Sequence, residues 1–282
     1  MNINVNGFLK MNELFDIFSL FGFQFFQNAL IGGTIAALAC AWVGLFLILR
    51  KEAMIGDGIA HTAFGGIAVG LFFGVNPILT ALVVSILAVL GISYMRQKGL
   101  AQSDSAIAVM LALGFSIGLI IISLAGGFNV ELLSFLFGSI LTIDQVDLII
   151  VSILGVSTIL VLGIFYKELL SITFDEESAR LTGIPVRPIS LAFNLLVAIT
   201  IVLSIKVIGV ILVVALLVLP GLSALQLNLS FKRTTFVAIV FGITSMTVGV
   251  MLSAFFNVAS SGVIVFTAAG FFLFTALYRR LE

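Results

Sequence analysis

Residues 54–70 read MIGDGIAHTAFGGIAVG, an apolar, glycine-rich run that holds an aspartate, Asp57, and the chain's single histidine, His61. A helical crossing of a bilayer needs roughly 20 apolar residues, and the run sits within such a length. Gly65, Gly66 and Gly70, the last two in GxxxG spacing, let neighbouring backbones approach, so a tightly packed central helix is expected. Asp57 and His61 are four apart and therefore lie one turn from each other on one helix face. An ionisable group in lipid costs at least ~2.5 kcal/mol for aspartate, which turns that face inward.

The rest of the chain fits this reading. Of 282 residues, 61% are hydrophobic and 9% charged, and the mean hydropathy is +1.32, far outside the soluble globular range. An all-α, polytopic membrane helix bundle is expected, with residues 1–282 forming a single integral domain and no sizeable soluble part. Formal charge balances at zero, which gives no footprint for nucleic acid. Cys40 is the sole cysteine, so no intrachain disulfide forms; it reads as a packing residue. The opening MNINVNGFLKMNELFDIFSLFG lacks a small-residue cleavage site after an apolar core, and Phe15, Phe18 and Phe21 suggest an interfacial amphipathic segment over 1–24.

Nine apolar runs are candidate spans: 25–49, 53–74, 77–95, 104–125, 146–166, 189–205, 207–227, 234–256 and 261–278. About eight or nine crossings are therefore expected. The stretch FNVELLSFLFGSIL, with Glu131, is apolar but short and suits a re-entrant or interfacial helix. With the N-terminus outside, Arg50, Lys51, Arg96, Lys98, Lys167, Arg180, Arg187, Lys232, Arg233, Arg279 and Arg280 share one side, leaving only Lys10 and Lys206 on the other. That asymmetry marks the basic side as cytoplasmic.

A carboxylate and an imidazole at this spacing can hold a divalent ion of the zinc or manganese type. Two ligands are few, which suits a site that must release its cargo. The same pair could instead hydrogen-bond and fasten helices together. Counted from Arg50 at 1.5 Å per residue, they lie roughly 10 to 17 Å into the span. Asn28, Asn194, Ser204, Ser223, Gln226 and Ser253 read as interhelical hydrogen-bonding groups. Asp104 reads as a cap of the fourth span, and Pro220 as a break in the seventh. In KELLSITFDEESARLTGIPVRP (167–188), Thr173 and Glu176 have capping-box spacing, while Gly183 and Pro185 supply a stop, giving a short cytoplasmic helix over 174–182. An ordinary solvated loop helix would look the same.

Taken together, these segments resemble the permease subunits of ATP-binding-cassette importers for zinc, manganese and related divalent metals. MIGDGIAHTAFGGIAVG resembles the family's Asp-x-x-x-His segment, ELLSFLFGSIL a stretch after the fourth span, and KELLSITFDEESARLTG the cytoplasmic coupling segment. VIGVILVVALLVLPGLSA and SSGVIVF resemble blocks in the seventh and last spans. The resemblance covers nearly the whole chain from about Leu30, and five blocks in order make it specific.

The resemblance implies a large-bundle importer permease in the plasma membrane of a prokaryote. Asp57 and His61 would be the metal-interacting pair. Glu177, Ala179 and Gly183 would match the E-x-A-x-x-x-G coupling motif that docks on an ATPase subunit, with Ser178 where the family often has alanine. It implies as partners an ATPase, an extracytoplasmic metal-binding protein, a second permease copy and the lipid bilayer. No cofactor would be held permanently, the divalent metal being cargo. No G-x-x-x-x-G-K-[ST] phosphate loop occurs in the sequence, so ATP hydrolysis is expected from a separate subunit and the chain is not itself an enzyme. Alanine before His61 favours zinc, with manganese next. The rival readings are a permease for an iron chelate and a secondary cation carrier or channel.

Overall fold

The computed structural model describes residues 22–127, 130–138, 145–256 and 258–281. Residues 1–21 of the interfacial segment expected over 1–24 lie outside them, as do Phe128, Asn129, Ser139, Ile140 and Leu141 of the FNVELLSFLFGSIL stretch. The described chain is helical: α1 (Gln24–Leu49), α2 (Met54–Phe73), α3 (Pro77–Gln97), α4 (Ser103–Leu124), α5 (Val130–Phe137) and α6 (Gln145–Ile164) are followed by α7 (Tyr166–Phe174), α8 (Glu176–Leu181), α9 (Val186–Ile208), α10 (Val210–Leu225), α11 (Phe231–Phe256) and α12 (Ser260–Leu281). Eight of these, α1 to α4, α6, α9, α11 and α12, are long and apolar enough to cross a membrane.

Backbone polar groups in hydrocarbon must be satisfied within the chain, which is why the apolar runs become continuous helices. The breaks fall at residues with a local reason to turn. Asn76 accepts from the amides of Ile78 and Leu79 at 3.0 and 3.2 Å, with Pro77 at the first helical position of α3. Gly74 ends α2 in the left-handed region.

The expected seventh span needs correction. The run 207–227 begins late, as α10, a helix of 16 residues over 210–225 that reaches only about 24 Å. Pro220 does not break it. Helix α1 braces α10 on both sides of the proline, where Gly44 lies against the Leu217 backbone and Gly221 against Leu45 and Ile48. The break falls instead at Gly209, which has φ +90 and no room for a Cβ against the backbone of Leu136, Phe137 and Gly138. The end of α5 thus seats on the α9–α10 corner, with Leu132 and Phe135 buried.

Helices α2, α3 and α4 form one closely packed group, and α1 packs with α6, α9, α10 and α11, while α9 also contacts α2 and α3 and joins the two groups. A Cβ at Gly65 would collide with the Gly114 carbonyl, one at Gly118 would lie 2.9 Å from the Gly65 Cα, and one at Gly66 2.7 Å from the Ala81 Cα. The GxxxG reading of α2 is thereby borne out as backbone-to-backbone packing.

The two faces of the bundle differ in charge as the basic asymmetry requires. The ends of α1 and α3, the α7–α8 segment and the start of α9 line one polar cavity of about 630 Å³. There Glu52 takes Arg50 at 3.2 Å and Arg96 at 3.0 Å, and Arg50 donates to the Ser190 hydroxyl at 3.0 Å while lying 5.1 Å from the Phe193 ring centre. At the other face Lys206, in the last turn of α9, pairs with Asp147 of α6 at 3.1 Å and lies 5.1 Å from the Phe135 ring of α5.

Several polar residues behave differently from expectation. Asp104 sits inside the first turn of α4 behind Gln102, where it favours the positive helix end without capping it. The hydroxyls of Ser204 and Ser223 donate to the carbonyls four residues back in their own helices, at 2.8 Å each. For Ser223 that local bond satisfies the hydroxyl in lipid without a second helix. Ser253 donates to the Val258 carbonyl at 2.6 Å, while Ser204 also meets the buried Cys40 thiol of α1 at 3.0 Å, the interhelical contact expected of it. The Asn194 and Gln226 side-chain carbonyls are buried without a partner.

Gly65→Ala is expected to push α2 and α4 apart at a cost of about 1–3 kcal/mol. A lowered thermal midpoint of the purified protein in detergent, with retained expression, checks it; an unchanged midpoint would show that the contact is slack.

Candidate metal site and cytoplasmic segment

Helix α2 starts at Met54, after a turn over Arg50 to Ala53. Because the helix does not run on from Arg50, Asp57 and His61 lie only about 5 and 11 Å beyond its start, shallower than the count from Arg50 gives. Asp57 stands in the first turn, where the positive end of the helix favours a carboxylate. Its Oδ1 is 3.4 Å from His61 Nε2, and the His61 ring stands edge-on to Phe115 of α4, 5.3 Å between centres.

From Ile55 to Ala68 every residue of α2 is buried except Asp57 and His61. Their side chains are 39% and 32% exposed. Packing against α3, α4, α9 and α10 closes the rest of the helix, so the one face left open carries a carboxylate and an imidazole. The two side chains meet each other, and the His61 ring meets Phe115 of α4. Among the described residues no third His, Cys, Asp or Glu joins the pair to complete a metal-binding group.

The cytoplasmic segment is two short helices rather than one over 174–182. Thr173 belongs to α7 and donates to the Leu169 carbonyl at 2.6 Å, so it caps nothing. The cap is Asp175, which turns the chain in an extended conformation and accepts from the Ser178 amide at 3.0 Å and from its hydroxyl. Those bonds, the hydroxyl first, hold the Asp175 carboxyl below the usual carboxylate range. Glu176 pairs with Arg180 across one turn at 3.0 Å on the surface.

Two members of the E-x-A-x-x-x-G pattern have clear structural duties. Ala179 is fully buried, packed with Ile172 and Val186. Gly183 has φ +86, its amide donates to the Arg180 carbonyl at 3.1 Å, and the Ile184 amide donates to the Ala179 carbonyl at 3.1 Å, the double bond pattern that closes a helix end on a left-handed residue. Glu177 is exposed, and beside it Leu181 is 85% exposed and Phe174 also stands out. Leu181 was not singled out from the sequence; its only signal there is an apolar residue in a polar segment. The Glu52 cluster was missed too, because its partners are far apart in the chain.

Residues 22–279 match the ABC 3 transport family. The chain is 31% identical over 261 residues to the manganese transport system membrane protein MntC of Halalkalibacterium halodurans, covering 93% of this chain and 89% of that one. It is 30% identical over 260 residues, 92% and 96% of the two chains, to a Haemophilus influenzae protein described as a "Probable iron transport system membrane protein". Among solved structures it is similar to PsaBC from Streptococcus pneumoniae in complex with Fab, with a TM-score of 0.84 at 33% identity over 93% of this chain and 95% of that one.

Gly183→Ala places a Cβ in the left-handed region at a cost of about 1–2 kcal/mol and is expected to fray α8, seen as faster amide exchange over 176–184. The Asp175 carboxylate supports α8 fully above the ordinary carboxylate range, and that support disappears only as pH falls through its depressed folded value. Protection of the Ser178 amide should therefore persist at pH 5 in the native protein and be absent at every pH in Asp175→Ala.

Proposed function

This chain belongs to the ABC 3 transport family, and from that premise we propose that it is the multi-pass plasma-membrane permease of an ATP-driven importer whose cargo is a divalent transition metal ion. One observation carries the proposal: the only open face in the body of α2 presents Asp57 and His61. In a low-dielectric bundle a carboxylate lowers the barrier for a dication, and an imidazole favours borderline metals over magnesium or calcium. With two ligands supplied by one chain, a second copy facing the same surface would complete the coordination and enclose the pair on a shared axis. The whole chain then acts as one integral permease domain.

ATP hydrolysis falls to a separate ATPase subunit, docked on α8. The exposed Glu177, Leu181 and Phe174 form a mixed acidic and apolar surface for it, while Ala179 and Gly183 hold α8 against α9. An extracytoplasmic binding protein delivers the ion to the opposite face. Manganese leads as cargo, because MntC, an aligned relative over most of its length, is named for manganese transport. Zinc, favoured by the alanine before His61, is its competitor, and iron enters through the Haemophilus influenzae relative. A secondary carrier is disfavoured by family membership.

In a metal-depleted host that lacks its own importer, the native chain with its cognate ATPase should restore uptake of radiolabelled manganese more than of zinc. Asp57→Ala and His61→Ala should each lower uptake by at least the roughly 10- to 100-fold seen when even an outer partner of a metal ligand is lost, with normal membrane levels. Wild-type uptake by either variant would sink the assignment; preference for zinc would reverse the order of cargo and leave the pathway standing. Leu181→Asp should abolish co-purification of the ATPase without lowering the amount of permease in the membrane.

A further inference from the structure

Two cavities beside the start of α9 share Pro185 and Pro188 and differ sharply in chemistry. The first, about 280 Å³, runs along α9 between α6 and α7 and is lined by apolar side chains, among them Val161, Phe165, Leu169, Ala192 and Leu196. The second, about 330 Å³, opens at the mouth of the first and carries Arg180 and Arg187 with no acid in its lining. From these adjoining cavities we propose that the chain holds one anionic glycerophospholipid of the cytoplasmic leaflet, an acyl chain in the groove and the phosphate between Arg180 and Arg187.

The dimensions suit this occupant. From Pro185 to Leu196 α9 rises about 16 Å, close to half the ~30 Å hydrocarbon thickness, that is, one leaflet. The groove therefore runs from the interface to the depth an acyl chain reaches. Both arginines are exposed on the basic side of the bundle, where the lipid surface is negatively charged and basic pockets attract anionic headgroups. Arg187 has no ion-pair partner among the described residues. The contact of Arg180 with Glu176 is an exposed pair of little worth, readily exchanged for a phosphate. The N-terminal end of α9 opens into the same cavity and adds its partial positive charge.

Such a lipid ties α8 to α9. Arg180 stands on α8 and Arg187 on α9, joined by the short turn through Gly183, so a phosphate held by both braces the cytoplasmic segment against a membrane span. The inference needs only that the chain crosses a membrane with its basic face in the cytoplasm; it does not depend on the metal or on the ATPase.

Native mass spectrometry of the full chain in neutral detergent, with phosphatidylglycerol or phosphatidylcholine of identical acyl chains, tests it. The native chain should retain one phosphatidylglycerol at about tenfold lower lipid concentration than phosphatidylcholine. The double variant Arg180→Ala, Arg187→Ala should lose that preference while still binding both lipids weakly. Ala192→Phe, which fills the groove and leaves the arginines intact, should weaken retention of both. Equal retention of the two headgroups by the native chain, a preference that survives the double variant, or displacement by millimolar inorganic phosphate would each overturn the proposal, the last by showing a free-anion site.

Discussion

The close approach of α3 and α4 to α2 is the constraint on which the rest depends. Gly65, Gly66, Gly114 and Gly118 remove the side chains that would keep these backbones apart. With lipid tails as apolar as leucine, helices in a bilayer gain by packing rather than by escaping water, and small residues are what allow it. Once α2 is closed on those sides, its remaining surface is settled by subtraction. Asp57 and His61 occupy that surface, so the packing that stabilises the helix also decides where its polar groups can be used.

The cytoplasmic face is organised by a different economy of groups. Glu52 receives two arginines from the ends of α1 and α3, and Arg50 reaches on to Ser190 of α9. Three spans are thereby tied at one level, next to the cavity that borders α7 and α8. Burying Glu52 and Arg50 costs desolvation, which their ion pair and the hydrogen bonds from Arg96 to Glu52 and from Arg50 to Ser190 offset in part. Helix α8 is held to this platform by Ala179 and stopped by Gly183, while Glu177 and Leu181 stand exposed on its outer side. A segment fixed on one side and exposed on the other is the surface on which the proposed ATPase would dock.

Much of this was legible in the sequence. Eight apolar runs became long helices within a few residues of their expected limits, since lipid forces the backbone of such runs into one form. The basic asymmetry correctly gathered Arg50, Arg96 and Arg187 on one face, and the spacing of Asp57 and His61 placed them on one turn. What was illegible depends on contacts between distant segments. Nothing around Gly209 distinguishes it from the chain's other glycines until α5 is seated on it, whereas Pro220, a conspicuous breaker, is held helical by α1. Thr173 reads as the cap from its spacing to Glu176, and only the extended turn of the backbone at Asp175 moves that role to Asp175. The Ser223 hydroxyl could have faced another helix, but its own helix offers the Leu219 carbonyl, whereas Ser204 bonds within its helix and also reaches Cys40 of α1.

The α9–α10 corner also limits how this protein can evolve. At Gly163, Gly262 and Gly270 a methyl group would meet nothing else in the chain. At Gly209 a methyl would meet both an unfavourable torsion and the backbone of α5, two objections with no common remedy. A change elsewhere that retracted α5 would leave the torsion, and one that relaxed the torsion would leave the collision. Glycine is therefore the one residue that meets both demands at this joint.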